Sequence, residues 1–488
     1  MDSTTTNSKP QQHKPKLPPS PPKLPIIGNL HQLGTHPHRS LRDLSRRYGP
    51  TMLLHMGSVP TIVVSSADMA REIKKTHDVT FANKPFMTAA ELLFYGRADM
   101  AFSPYGHYWR QVRKICVLEL LSIKRVQSFK FIREEEVALM IESISRSCLL
   151  QLPINLSEIL LTLNNNIVSR CAIGRKCEGG GNEHGTDKNF GELSRELMRL
   201  LGAFCFRDFF PWLGWVDVVS GLVRRMKKVS RELDSFLDPI IDEHLSRRRQ
   251  QNDDHKEDFV DLLLRVQTDN ILDIKLTREN IKALILNMFI GGTESVSTTI
   301  EWVIAELVKN PKVMEKVQEK VRRVVANKSK VDEEDIPHMD YLKSVVKEAL
   351  RLHAPGPLIP AESSTSTNLN GYHLPAKTRV LINVSAIQTD VKSWENPDDF
   401  IPERFLNNPI DFKGQDFEFI PFGAGRRGCP GMSFGIVIVE YVVANLLYWF
   451  DWKLPQGEIE LDMSEASGMT ASKRTPLNLI PKLHFSRF

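Results

Sequence analysis

Ten residues, Phe422 to Gly431, constrain this chain more than any other stretch: FGAGRRGCPG sets one cysteine in a glycine-rich, arginine-bearing loop that opens a helix. Cys429 reads as a metal-ligating thiolate, because a helix start supplies N–H groups and dipole that keep a sulfur deprotonated. Gly425, Gly428 and Gly431 let the backbone come close to something large and flat. Arg427, two residues before the sulfur, is placed to pair with a carboxylate on that same ligand. A flat metal complex bearing carboxylates is a haem.

Two other readings compete for the same residues. Gly423, Gly425 and Gly428 also spell G-x-G-x-x-G after the strand-like Phe417 to Ile420, which imitates a dinucleotide-binding turn. Pro430 and Gly431 interrupt that reading where a crossover helix should already be regular, and the chain left after them is too short for a doubly wound sheet. A buried structural cysteine is the plainer alternative. It leaves Arg427 and the glycines without a purpose.

The 488 residues suffice for one large helical domain with a small strand-rich lobe, and 41% apolar with 25% charged residues is ordinary for a globular chain. A net charge of +5 on this length gives no reason to expect nucleic acid. The six cysteines, at 116, 148, 171, 177, 205 and 429, form neither C-x-x-C nor C-x-x-C-H, which disfavours zinc and covalent haem attachment and fits reduced thiols. No run of eighteen apolar residues occurs, so neither a membrane-spanning helix nor a signal segment is expected.

Residues 1–16 form a polar tail that reads as disordered, and residues 17–30 form a hinge in which Pro18, Pro19, Pro21, Pro22 and Pro25 make a stiff extended strut. Strands are expected at Thr51 to Met56 and Thr61 to Ser65, and helices dominate after Ala67. Gly179 to Gly185, with Asp187 beside it, reads as a surface loop. The longest helical pattern runs from Arg278 to Lys309, capped by Thr277 and stopped at Asn310-Pro311. Its centre is weakened by Gly291 and Gly292 and made polar by Thr293, Glu294 and Ser295, as a helix bordering a ligand often is. Glu348 and Arg351 share a face of the Tyr341 to His353 helix, with Arg404 of the PERF loop as a possible third member of a buried network. Trp109 and Arg113, four apart, put an indole and a guanidinium on one side of another helix.

WRQVR from Trp109, GGTES from Gly291, EALR from Glu348, PERF, FGAGRRGCPG and the proline hinge occur in the order of a known family. Together they resemble the cytochrome P450 haem-thiolate monooxygenases, in particular the plant microsomal group and its 71A-like subfamily, over about Leu17 to Lys482. The resemblance implies a mainly α fold with a small β-rich lobe, the catalytic domain occupying residues 31–488, and haem b as cofactor. It implies Cys429 as the axial iron ligand, with Phe422 and Gly431 framing it and Trp109, Arg113 and Arg427 on the haem propionates. Glu348, Arg351 and Arg404 match the family's structural triad, and Glu294 with Ser295 its proton-relaying acid and alcohol. Three positions depart from the pattern: Ser295 where threonine is usual, Gly291 where alanine is, and Ala361 where an arginine is expected.

The implied reaction inserts one oxygen atom from O2 into a small lipophilic plant metabolite of terpenoid, alkaloid or aldoxime type. Electrons would come from NADPH through a cytochrome P450 reductase docking near Lys114, Lys124, Arg125 and Arg426. A haem-thiolate isomerase, dehydratase or cyclase acting without a reductase is the alternative, and a non-catalytic binder a third class. Expected pocket walls are Met87 to Phe102, Phe204 to Val218, Asn287 to Ser295, Leu358 to Ala361 and Gly468 to Thr470. The family implies a monomer on the cytosolic face of the endoplasmic reticulum membrane. The N-terminal anchor helix that normally precedes such a hinge is not in this sequence.

Overall fold

The computed structural model describes residues 17–150, 152–176, 190–249, 256–269, 271–326, 328 and 330–484. The polar tail, Cys177 and the glycine loop with Asp187 lie outside them. Seven helices frame the site and are numbered here in chain order: α1 (His107–Ile115), α2 (Leu156–Ile173), α3 (Phe190–Leu201), α4 (Arg278–Gly292), α5 (Glu294–Lys309), α6 (Asp340–Leu352) and α7 (Met432–Trp449). Strands β1 (Thr51–Met56), β2 (Val59–Val64), β3 (Leu358–Glu362) and β4 (Arg379–Asn383) form one sheet in the order β1-β2-β4-β3. Only β2 and β4 run parallel, so the lobe is a mixed sheet whose register sets Ala361 opposite Val380.

The core is built where α5 and α7 cross. Their apolar residues Ile300, Val303, Ile304, Val442, Val443 and Leu446 are fully buried, and such burial supplies the main driving force for the fold. The α7 helix is long and apolar enough to cross a membrane by length and mean hydropathy (1.6), although Ser433, Glu440 and Asn445 interrupt its apolar residues. Most of it is inside the protein, so it is a core helix.

The hinge is docked rather than free. Leu53 N–H donates to Pro19 O at 2.9 Å, and the Asn29 and Gln32 amides donate to Pro22 O. The chain from Ile123 to Leu149 is helical but divides at Phe129 into Ile123–Ser128 and Lys130–Leu149. The Arg278 to Lys309 pattern also divides, at Thr293 (φ −92°, ψ −67°), while its start is the expected Thr277 cap, reinforced by a reciprocal bond with Asn280. Phe417 to Ile420 is irregular chain rather than a strand, which removes the context a dinucleotide-binding turn requires.

Candidate active site

The cysteine loop is shaped by its own backbone. Cys429 N–H donates to Phe422 O at 2.9 Å, closing the loop just before α7 begins at Met432. Gly423 and Gly425 have φ of +70° and +68°, and a Cβ at Gly425 would lie 2.5 Å from Asp78 Oδ1 and from Lys74 O, so only glycine fits there. The loop is pinned on its outer side as well, where Arg426 N–H and guanidinium meet the Asp78 carboxylate at 3.2 Å.

Cys429 is exposed, whereas the helix that follows it is mostly buried. Desolvation by the surrounding chain pushes the Cys429 thiol up, against the Gly431 N–H and the Arg113 charge, both of which favour the thiolate.

Three of the expected residues converge on Met100. Trp109 Nε1–H donates to Met100 O at 3.0 Å, Arg427 Nη1 to the same carbonyl at 3.2 Å, and Arg113 Nη1 to Met100 Sδ at 3.6 Å. The indole N–H is thus already bonded to backbone, and Trp109 meets Arg427 through its ring, 4.2 Å from the guanidinium carbon. Arg427 further donates to Ala82 O at 2.8 Å and Ser103 O at 2.5 Å.

Sequence reasoning missed two neighbours, Lys74 and Lys84. Burial, with Lys74 and Arg427 nearby, lowers Lys84 to about 7, and burial with Arg427 nearby lowers Lys74 to about 8 despite Asp78. Burial and the repulsion from Arg113 lower Arg427 itself to about 10. Lys84 Nζ donates to Pro360 O at 3.0 Å, beside the alanine that stands where an arginine is expected. Arg113, Arg427 and Lys84 thus direct their donors to carbonyls and a sulfur, and this cationic group fits a ligand that brings carboxylates of its own. No local sequence pattern marks Lys84, because the residues that make it cationic company are distant in the chain.

The helix break stands against the start of α7. A Cβ at Gly292 would lie 2.9 Å from Val168 Cγ2 of α2 and 3.8 Å from Phe434, and Val296 Cγ2 lies 3.6 Å from the Cβ position of Gly435. Gly291 has nothing within 4 Å and is exposed, so it opens space where Gly292 fills it. Ser295 Oγ donates back to Gly291 O at 2.6 Å. Burial raises the Glu294 carboxyl despite a bond with Thr470, and its Oε2 has no partner. A cavity of about 610 Å³ is lined by Ile290, Thr293 and Glu294 and by the Gly468 to Thr470 turn, which fall in two of the expected pocket walls, and by α3, which is not among them.

Behind the site, Glu348 and Arg351 are completely buried on α6. Arg351 makes two 2.8 Å bonds to the carboxylate and gives its other donors to Gln388 O, Pro397 O and Asp399 O, while Arg404 Nε reaches Glu348 Oε1 at 2.9 Å. The pair and its third member form a network whose every charge is bonded, which is what permits its burial.

The comparisons agree with this geometry. The cytochrome P450 family model matches residues 18–480. The chain is 55% identical to cytochrome P450 71A1 of Persea americana, over 94% of this chain and 92% of that protein. It is 50% identical to phenylacetaldehyde oxime monooxygenase CYP71AN24 of Prunus mume, over 98% and 92%. A zebrafish cytochrome P450 solved with abiraterone superposes with a TM-score of 0.77 at 25% identity, over 92% of this chain and 100% of that one. The chain belongs to the cytochrome P450 family, as a plant 71A-like member, and is a haem-dependent oxidoreductase that incorporates molecular oxygen.

Proposed function

We propose that this enzyme inserts one oxygen atom from O2 into a small lipophilic plant metabolite of terpenoid, alkaloid or aldoxime type, with electrons from NADPH through a cytochrome P450 reductase. The observation that carries the reading is the exposed sulfur of Cys429 in its glycine loop, with the donors of Arg113, Arg427 and Lys84 and the break at Gly291 to Ser295 against α7. The aldoxime class is supported by the name of the Prunus mume relative.

Cys429 would ligate the haem iron, Phe422 O and the Gly431 N–H would hold its loop, and the arginines and Lys84 would neutralise the haem carboxylates. When bound, an iron porphyrin with an anionic sulfur ligand supplies the oxidising chemistry and favours O–O cleavage. The chain's own contribution is positional and protic. Glu294, buried with one oxygen free, lines the cavity and is placed to exchange a proton with cavity water. Ser295 Oγ keeps its hydroxyl at the break by bonding Gly291 O, and it reorients by giving up one bond.

For the reductase, Lys114 and Lys124 are exposed, whereas Arg125 already pairs with Glu257 and Arg426 with Asp78. The free lysines are the better docking charges. The test is the reduced carbon monoxide difference spectrum of wild type and Cys429→Ala, followed by turnover of phenylacetaldehyde oxime with and without NADPH, reductase and O2. The thiolate band is expected in wild type only. A band that survives the mutation overturns the ligand assignment, and full turnover without the electron donors supports the isomerase class instead.

A further inference from the structure

The α5 helix is buried almost all round, yet it carries a polar stripe at helical spacing: Glu294, then Ser297 and Thr298, then Glu301. All four line the cavity of about 610 Å³. Polar groups inside a protein are costly unless bonded or hydrated. The stripe is only partly bonded: Ser297 Oγ reaches Thr293 O and Glu294 O, Glu301 accepts from Ser157 Oγ of α2, and Thr293 Oγ1 and Glu294 Oε2 have no partner. The facing walls are polar as well, with Ser467, Thr470, Lys473 and Arg474 from the C-terminal loop. Such a cavity holds water, with room for on the order of ten molecules or more.

We propose that Glu301 is the outer acid of a proton route whose inner end is Glu294, the two being linked by the water of this cavity. The inference rests on the role given to Glu294 above. The carboxyls stand two helical turns apart, about 10 Å along the axis, too far for direct transfer and short for a chain of waters. Glu301 O–H gives its proton to the adjoining water, the chain delivers one to the Glu294 carboxylate, and Glu301 regains one from bulk water at the mouth. The net result is one proton moved from bulk water to the Glu294 carboxylate, which it neutralises. Burial raises both carboxyls, Glu301 against its Ser157 bond and the Lys473 charge. The charged groups facing Glu301 are Lys473 and Arg474 from the loop and, from α3, Arg195 and Arg199, which pair with Glu158 and Glu196.

A structural role is the competing account, since Ser157 also accepts from Leu477 N–H at 2.8 Å and so ties α2, α5 and the C-terminal segment together. The test uses the reductase-coupled holoenzyme with phenylacetaldehyde oxime as probe, reading the solvent deuterium isotope effect on NADPH oxidation, and the resting holoenzyme in the infrared. Glu301→Gln is expected to slow NADPH oxidation on the order of ten-fold, to raise its isotope effect, and to remove one protonated-carboxyl band. Glu301→Asp should restore all three. Ser157→Ala, which breaks the tie and keeps the acid, should leave the isotope effect at the wild-type value. If Ser157→Ala reproduces Glu301→Gln, the role is structural and the proposal falls. If Glu294→Gln raises the isotope effect and Glu301→Gln does not, Glu301 is excluded while the inner acid stands; if neither does, both readings fall.

Discussion

Arg427 gathers three carbonyls from residues 82, 100 and 103 with one guanidinium, whose carbon lies 4.2 Å from the Trp109 ring centroid. A lysine keeps the charge but cannot reach three acceptors in a plane. Arg427→Lys is therefore expected to lower the urea midpoint by the equivalent of about 2–3 kcal/mol, roughly two buried acceptors left unsatisfied, and to lower the haem-to-protein ratio after purification. A variant with wild-type midpoint and haem content would contradict this account of the residue. What could be read in the sequence here was the local part. The three-residue spacing of Glu348 and Arg351 put both on one face, and the network with Arg404 is as expected. The carbonyls that hold Arg427, the bond that occupies Trp109 and the cationic company of Lys84 come from chain far away in sequence, and no periodicity encodes them.

Gly291 and Gly292 are adjacent, yet they owe their glycines to opposite circumstances. At Gly292 a methyl would press on Val168 at 2.9 Å, whereas at Gly291 it would meet nothing. Gly292→Ala should cost about 1–3 kcal/mol through overpacking, recovered in large part by Val168→Ala. Gly291→Ala should stabilise by up to about 1 kcal/mol through helix propensity. Thermal midpoints of the three variants check this, and equal effects at the two glycines would refute it. The same break explains the one long pattern becoming α4 and α5, since a glycine pair and three polar residues are visible in sequence but the packing of α2 against them is not. The α2 helix itself escaped the sequence reading. Its centre is Asn164, Asn165 and Asn166, all weak helix formers, yet all three are buried and Asn164 bonds back to Leu160 O at 2.9 Å. Tertiary burial overrode local preference there.

For the molecule as a whole, pH enters through Glu440 of α7, which burial raises to about 7 despite the charges of Lys343 and Lys347. A carboxyl raised in the folded state holds its proton while the unfolded chain has lost its own, so stability falls as pH rises from about 4.5 to about 7. Glu440→Gln removes that loss and is expected to gain about 1–2 kcal/mol at pH 8 and almost nothing at pH 4. Urea unfolding at the two pH values decides it, and a gain independent of pH would exclude the titration as cause. The outer surface makes a second claim at this scale. Trp212, Trp215, Val218 and Val219 are each at least 59% exposed, and Ile26 is 75% exposed. They form one region, because Gly57 N–H donates to Ile27 O while the neighbouring Ser58 N–H donates to Phe209 O, tying the hinge and the segment before Trp212 to the same turn. An apolar patch bearing two tryptophans is the composition that seats at a bilayer interface, where the indole ring enters the headgroup layer and keeps its N–H wet. The proline strut, bonded along β1, would then fix the angle at which the body meets the lipid. Flotation with neutral phosphatidylcholine vesicles is expected to carry the wild-type chain upward, and the double variant Trp212→Ser, Trp215→Ser to reduce the bound fraction several-fold with the thermal midpoint unchanged. Removing the tryptophans leaves the net charge of +5 intact, so binding that persists in the double variant but disappears in high salt would assign the contact to the basic surface and exclude this patch.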